Sequence, residues 1–168
     1  MKKRSSVLTL VVVVACTIGC DRVSKRYAAA ALIGSPRHSY LADTLRFEYV
    51  ENRGGFLSMG ANLPERARTL IFVVGTAVLL GGLTFGLRHL VETGWSTIGL
   101  SLIWAGGVSN LIDRLAYGRV TDFLNVGVGS LRTGIFNVAD LAITCGVGCI
   151  LLAGWRAKVA RKAETPQG

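Results

Sequence analysis

Charge is scarce in this chain: 17% of its 168 residues are Asp, Glu, Lys or Arg, against 51% hydrophobic. A soluble domain of this size carries more charge, so a membrane class is expected. Proline is limited to three residues, none inside an apolar run, and nothing therefore breaks long helices there. The two histidines, His38 and His89, lie far apart in sequence and anchor neither a catalytic nor a metal reading. The four cysteines form two C-x3-C pairs, Cys16 with Cys20 and Cys145 with Cys149. On helices each pair shares a face, but no histidine or carboxylate completes a ligand set. No metal is expected, and the cysteines read as small apolar residues packed at helix interfaces. Internal repeats and low-complexity linkers are also missing, and only the final "AETPQG" reads as disordered.

What is present is long uncharged runs. Residues 69–87 ("TLIFVVGTAVLLGGLTFGL") and 95–112 ("WSTIGLSLIWAGGVSNLI") each match the roughly 18–20 residues that cross a bilayer as helix. Two further runs, 5–20 and 141–155, abut Asp21 and Asp140, and they cross only if those carboxylates lie near an interface or face protein. The expected fold is membrane α-helical, with four transmembrane helices near 5–26, 69–88, 95–112 and 138–156, in one domain over 1–168. Between the first two, 40–62 alternates through Leu45, Phe47 and Tyr49 and predicts a small extramembrane β element. There Asn52, Gly54 and Gly55 read as a turn.

The first twenty residues imitate a secretory signal, with basic residues, an apolar core and "VVAC" or "TIGC" before a cysteine. Three more apolar segments follow, however, and "DRVSKRYAAAALI" continues as helix without proline or glycine until Gly34. A retained first helix of about 43 Å is expected. Net charge is +9, with Lys2, Lys3 and Arg4 at one end and Arg156, Lys158, Arg161 and Lys162 at the other. That flanking places both termini in the cytoplasm, although Arg22, Lys25 and Arg26 after the first span run against it. The cations form no basic helix or aromatic stripe, so nucleic-acid binding is not expected.

Polar residues collect where the runs end: Asp21 and Lys25 after the first, Asn110, Asp113 and Arg114 after the third, Asn137 and Asp140 before the fourth. Antiparallel helices bring these ends to one side, together with Asp122 in the last connection. Charges at such positions are costly unless paired or functional. One reading is a structural ion network, and another is a carrier whose acids relay protons. A third is a pair of carboxylates sharing one proton, one activating water while the other donates to a carbonyl, which is aspartic peptidase chemistry. Asp122 and Asp140 suit that pair best, because Asp21 and Asp113 are followed at once by Arg22 and Arg114. A serine–lysine pairing of Ser24 or Ser109 with Lys25 is the weaker nucleophilic alternative.

Five blocks carry a family resemblance: "DRVSK" at 21–25, "NRGGF" at 52–56, "SNLIDR" at 109–114, "VTDF" at 120–123 and "FNVAD" at 136–140. In this order, over nearly the whole chain, they resemble lipoprotein signal peptidase, or signal peptidase II, a family of membrane aspartic peptidases. The resemblance implies an endopeptidase that cuts before the diacylglyceryl-modified cysteine of prolipoproteins, with Asp122 and Asp140 as catalytic dyad. It implies that Asp21, Lys25, Asn52, Gly54, Asn110, Asp113, Arg114, Asn137 and Ala139 shape the site or hold substrate. No metal or cofactor is implied, and the partners are prolipoproteins and membrane lipid, with a monomer expected. The location implied is the bacterial inner membrane, with the site and β element toward the periplasm. Two departures stand out. Ser109 occupies a position where the family usually has glycine, and the 52–56 motif is one residue short or has Leu57 in place of its aromatic.

Overall fold

The computed structural model describes residues 2–55, 59–90 and 94–164. Helix α1 (Lys2–Leu32) runs without a break, as its alanine run and lack of proline dictate. Gly34 ends it at φ +75°, a conformation open to glycine. Strands β1 (His38–Tyr40) and β2 (Leu45–Asn52) follow as an antiparallel pair. A second rod comprises α2 (Glu65–Arg68), a π-helical stretch Thr69–Gly75 and α3 (Thr76–Leu90). Helix α4 (Gly94–Tyr117), β3 (Val120–Val128), β4 (Leu131–Arg132) and α5 (Val138–Glu164) complete the chain.

The four strands form one antiparallel sheet in the order β1-β2-β3-β4. Its central pair joins the two long connections, Leu45 opposite Val126 and Asn52 opposite Val120, with a bulge between Phe47 and Val50. Asp122 therefore stands opposite Val50, close to the turn that starts at Asn52. The β element expected over 40–62 is thus shorter on its own connection, ending at Asn52, and is completed by β3 and β4. Phe56 and Leu57 of the short motif lie outside the described residues. So do residues 165–168 of the tail expected to be disordered, although α5 extends through Glu164.

Among the described residues, three helical stretches have the length and hydropathy to cross a membrane: Val7–Leu32, Glu65–Phe85 and Val138–Arg161. Helix α4, expected as the third span, has the length but buries Thr97, Ser101, Ser109, Asn110 and Asp113 among its packed residues. It touches α1, α3 and α5, and a helix surrounded by protein carries polar side chains that a lipid-facing one cannot. The molecule is apolar outside and polar within: Val78 and Leu151 are 71% and 68% exposed, whereas Asp21 and Asn137 are fully buried. That inverts the pattern of a soluble domain.

Three of the four cysteines depart from expectation. Cys16, Cys20 and Cys145 are exposed and stand outside the helix interfaces, whereas the half-buried Cys149 packs against α4 at Gly99 as expected; all four are free. Glycine makes the close helix contacts instead. A side-chain carbon on Gly99 would sit 2.7 Å from the Gly146 carbonyl oxygen, one on Gly146 would sit 2.6 Å from that of Gly99, and one on Gly106 would overlap the Ala139 carbonyl. These small residues recur two turns apart on α4 and α5 and let the backbones touch. Gly106→Val should destabilise the fold by about 1–3 kcal/mol through overpacking. It should also lower activity, since Ala139 adjoins Asp140. Gly19→Val, where a side-chain carbon meets nothing within 4 Å, is the control that should unfold like wild type in a thermal melt.

Candidate active site

Asp122, on β3, is 1% exposed. One carboxylate oxygen accepts from the Asn137 side-chain amide at 2.7 Å and the other from that of Asn52 at 2.8 Å. Asn52 is itself fixed by its turn: its oxygen accepts from the Gly54 N–H at 2.8 Å and its amide donates to the Gly55 carbonyl at 2.9 Å. The "NRGG" turn thus aims one amide at Asp122.

Asp140 sits in the first turn of α5. Asn137 caps that helix, its side-chain oxygen accepting from the Asp140 N–H at 3.0 Å, while the Asp140 carboxylate accepts from the Asn137 N–H at 3.2 Å. This is a reciprocal capping box built from Asn and Asp. The same Asn137 amide that reaches Asp122 lies 3.3 Å from the Asn110 oxygen, and the Asn110 amide donates to Asp140 at 2.9 Å. Asn137 and Asn110 therefore tie the two carboxylates into one network, with Asp122 and Asp140 from different elements.

Behind them lies a buried ion cluster. Lys25 forms an ion pair with Asp21 at 2.7 Å and donates to Asp113 at 2.7 Å and to the Asn110 oxygen at 2.8 Å. Its charge is thereby shared between two carboxylates. Asp21 also accepts from Ser109 Oγ at 2.6 Å and from the Ala139 N–H at 2.9 Å, so α1 holds α4 and the start of α5 together. The surface ion pair that the i, i+4 spacing of Asp21 and Lys25 permits is in fact buried. The serine–lysine alternative does not assemble: Ser24 Oγ donates to the Asp21 carbonyl at 3.0 Å and Ser109 to the Asp21 carboxylate.

Arg114 projects between the helices and the turn, donating to the Gly54 carbonyl at 2.7 Å, with its guanidinium carbon 5.9 Å from the Phe72 ring centre. Its buried Nε has no hydrogen-bond partner among the described residues. Beside Arg114, Asn110 and Asp140 opens a groove of about 530 Å³, lined otherwise mostly by apolar side chains of α3, α4 and α5, including Leu79, Leu83 and Ile143, with Thr76 and Thr144.

All eleven site residues expected from sequence fall in this network or against it, Ala139 through its N–H and Gly54 through both backbone groups. Three contributors were not foreseen. Arg22 donates to Asp113 at 2.5 Å and to the Ser109 carbonyl at 2.7 Å. Ser109 is a hydrogen-bond donor that a glycine would lack. Phe72, on the π-helical stretch, backs Arg114. The only signal for Arg22 was its place one turn before Arg26 among cations on an unfavoured flank.

Burial pushes the Asp122 carboxyl up from 3.8 to about 6; the Asn52 amide opposes this, the Asp140 charge adds to it, and the Asn137 amide opposes it further. Between those pH values the folded chain holds a proton that the unfolded chain has released. Stability therefore falls as pH rises from about 4 to about 6, by about 2–3 kcal/mol, and is flat above. In thermal melts, Tm of wild type relative to Asp122→Asn should drop across that window. A difference independent of pH would contradict the burial argument.

Residues 13–156 match the family described as signal peptidase (SPase) II. The chain is 31% identical over 153 residues to the lipoprotein signal peptidase of Streptococcus pneumoniae, covering 91% of this chain and 94% of that protein. It is 36% identical over 115 residues to that of Syntrophotalea carbinolica, covering 68% and 71%. A solved bacterial membrane enzyme superposes with a TM-score of 0.74 at 25% identity, covering 98% of this chain and 94% of that one.

Proposed function

The chain belongs to the signal peptidase II family, and from that premise we propose that it is an aspartic endopeptidase that cuts prolipoproteins immediately before a diacylglyceryl-modified cysteine. The observation that carries the reading is the bridging of Asp122 and Asp140 by Asn137 beside an apolar groove. Four helices span the inner membrane, α4 included, with both termini in the cytoplasm. The sheet and the carboxylates lie at the periplasmic face, and one domain covers the whole chain.

Charge balance favours one shared proton. Arg22 and Lys25 offset Asp21 and Asp113, which leaves Arg114 against two acids, and one proton on the pair makes the buried set neutral. A water held between the carboxylates gives its proton to the ionised one as its oxygen attacks the scissile carbonyl carbon. The protonated partner donates to the carbonyl oxygen, forming a gem-diol. Collapse breaks the C–N bond as the carboxyl that took the water proton gives it to the leaving amine of the lipidated cysteine. One gem-diol hydroxyl returns its proton to the ionised carboxylate, which restores the singly protonated pair. Asn110 and Arg114 hold the peptide beside the pair, and the Arg114 Nε–H, unpartnered among the described residues, is an available donor. The extended peptide lies along the sheet turn at Asn52 and Gly54, and the acyl chains lie among the apolar side chains of the groove.

Lipid dependence tests this reading. The purified protein should cleave a diacylglyceryl-modified precursor and leave the same precursor without its lipid uncut. Equal cleavage of both would remove the groove from substrate recognition, and cleavage of neither would overturn the proposal.

A further inference from the structure

The buried network does not use all the cations that follow the first span. Arg22 and Lys25 are committed to Asp113, Asp21, Asn110 and the Ser109 carbonyl. Arg26, one turn beyond Arg22 on α1, is exposed. With Arg119 it lines a cleft of about 270 Å³ between α1, the end of α4 and the central β2–β3 pair of the sheet, where Tyr49 and Tyr117 also contribute. Four cations line this cleft, Arg22, Lys25, Arg26 and Arg119, and the carboxylates paired with them are Asp113, Asp21 and Glu51, which leaves the charge of Arg26 over. Glu51 meets Arg119 from the side at 3.2 Å, and both are partly exposed. A positive surplus remains in a cleft of a size for a small anion. The cleft shares no lining residue with the groove at Asp140 and lies against α1 instead of α3 and α5.

The surroundings identify the anion's carrier. Tyr117, which lines the cleft, and Val23, next to Arg22 on α1, are 76% or less exposed at 67% each, an apolar rim of the kind that meets lipid. On the same face of α1, toward its N-terminus, Ala15 and Gly19 are exposed, and Gly19 leaves open space within 4 Å of its backbone. A cationic cleft with tyrosines at its edge and an apolar lane leading along a lipid-facing helix matches a phospholipid: headgroup at the top, chain below. Two guanidinium forks suit the oxygens of a phosphodiester better than a single carboxylate.

We propose that the cleft between Arg26 and Arg119 binds the phosphodiester headgroup of an anionic membrane phospholipid, with an acyl chain along Ala15 and Gly19 of α1. Occupancy secures the Arg22–Asp113 pair at the cleft floor, and so couples an annular lipid to the ion cluster behind the carboxylates. This site is separate from the one that takes the lipidated substrate, and it stands or falls independently of the peptidase reading.

The test is native mass spectrometry and thermal unfolding of delipidated full-length protein, with phosphatidylglycerol or phosphatidylcholine added. Wild type should retain phosphatidylglycerol in preference and unfold at higher temperature with it. Arg26→Gln/Arg119→Gln should bind it about tenfold more weakly and lose the thermal gain, while its unfolding without added lipid stays as in wild type. No preference for phosphatidylglycerol in wild type, or full retention by the double variant, would overturn the proposal. Inorganic phosphate raising the unfolding temperature as much as the lipid would overturn the lipid assignment.

Discussion

Asp122→Asn and Asp140→Asn should each lower kcat by about 10²–10⁴-fold, the share that a positioned acid or base supplies. Asparagine keeps the volume and planarity of the carboxylate but removes the group that exchanges the proton. At position 122 one of the two amide donors, from Asn52 or Asn137, is then left facing another N–H. Each of those amides has a second acceptor within reach, the Gly55 carbonyl for Asn52 and the Asn110 oxygen for Asn137. The fold therefore tolerates the change and KM should move by less than about threefold. Groups that act as a unit are not additive, so the double variant should be hardly slower than either single one. Steady-state cleavage of a lipidated precursor, with a melt run on the same samples, separates this from unfolding. Full turnover in either variant would sink the shared-proton pair.

Lys25→Met should produce the largest loss of stability, about 3–5 kcal/mol, as expected when one partner leaves a buried ion cluster. Lys25 is 6% exposed and stands between Asp21 and Asp113, which are 0% and 3% exposed. Without the ammonium, two carboxylates face each other with only Arg22 to offset them. The damage reaches the chemistry, because Asp21 holds the Ala139 N–H and Lys25 holds the oxygen of Asn110, whose amide binds Asp140. Adding Asp113→Asn to Lys25→Met removes the orphaned charge and should restore a large part of the stability without restoring activity. Unfolding in detergent measures both, and a cost below about 1 kcal/mol for the single variant would mean that water reaches the cluster.

Helix positions were legible in the uncharged runs, because a segment that faces lipid has no other way to satisfy its surroundings than to be long and apolar. The pairing of Asp21 with Lys25 was legible from helical spacing alone. Helix α4 shows where that logic weakens: enclosed by three helices, it keeps Thr97, Ser101 and Ser109 and reads as less apolar than its neighbours. The pairing of β2 with β3 was not legible, since it joins strands from two connections on opposite sides of two helices, and alternation fixes a strand's faces but not its partner. The roles of Arg22 and Ser109 were also hidden. Ser109 looked like a departure from glycine, and only the approach of α1 shows its hydroxyl meeting Asp21. Three of the four cysteines, Cys16, Cys20 and Cys145, misled for a related reason: on the outside of a membrane helix a small apolar residue needs no packing partner.

The central claim is that this chain hydrolyses one peptide bond, the one before a lipidated cysteine, through Asp122 and Asp140. Mass spectrometry of both products from purified wild type and Asp140→Asn, each given a diacylglyceryl-modified precursor, tests it most directly. Wild type should yield a signal peptide with a free carboxylate and a mature product beginning at the lipidated cysteine, and the variant should leave the precursor intact. Cleavage at another bond, or the same two products from the variant at the wild-type rate, would contradict it.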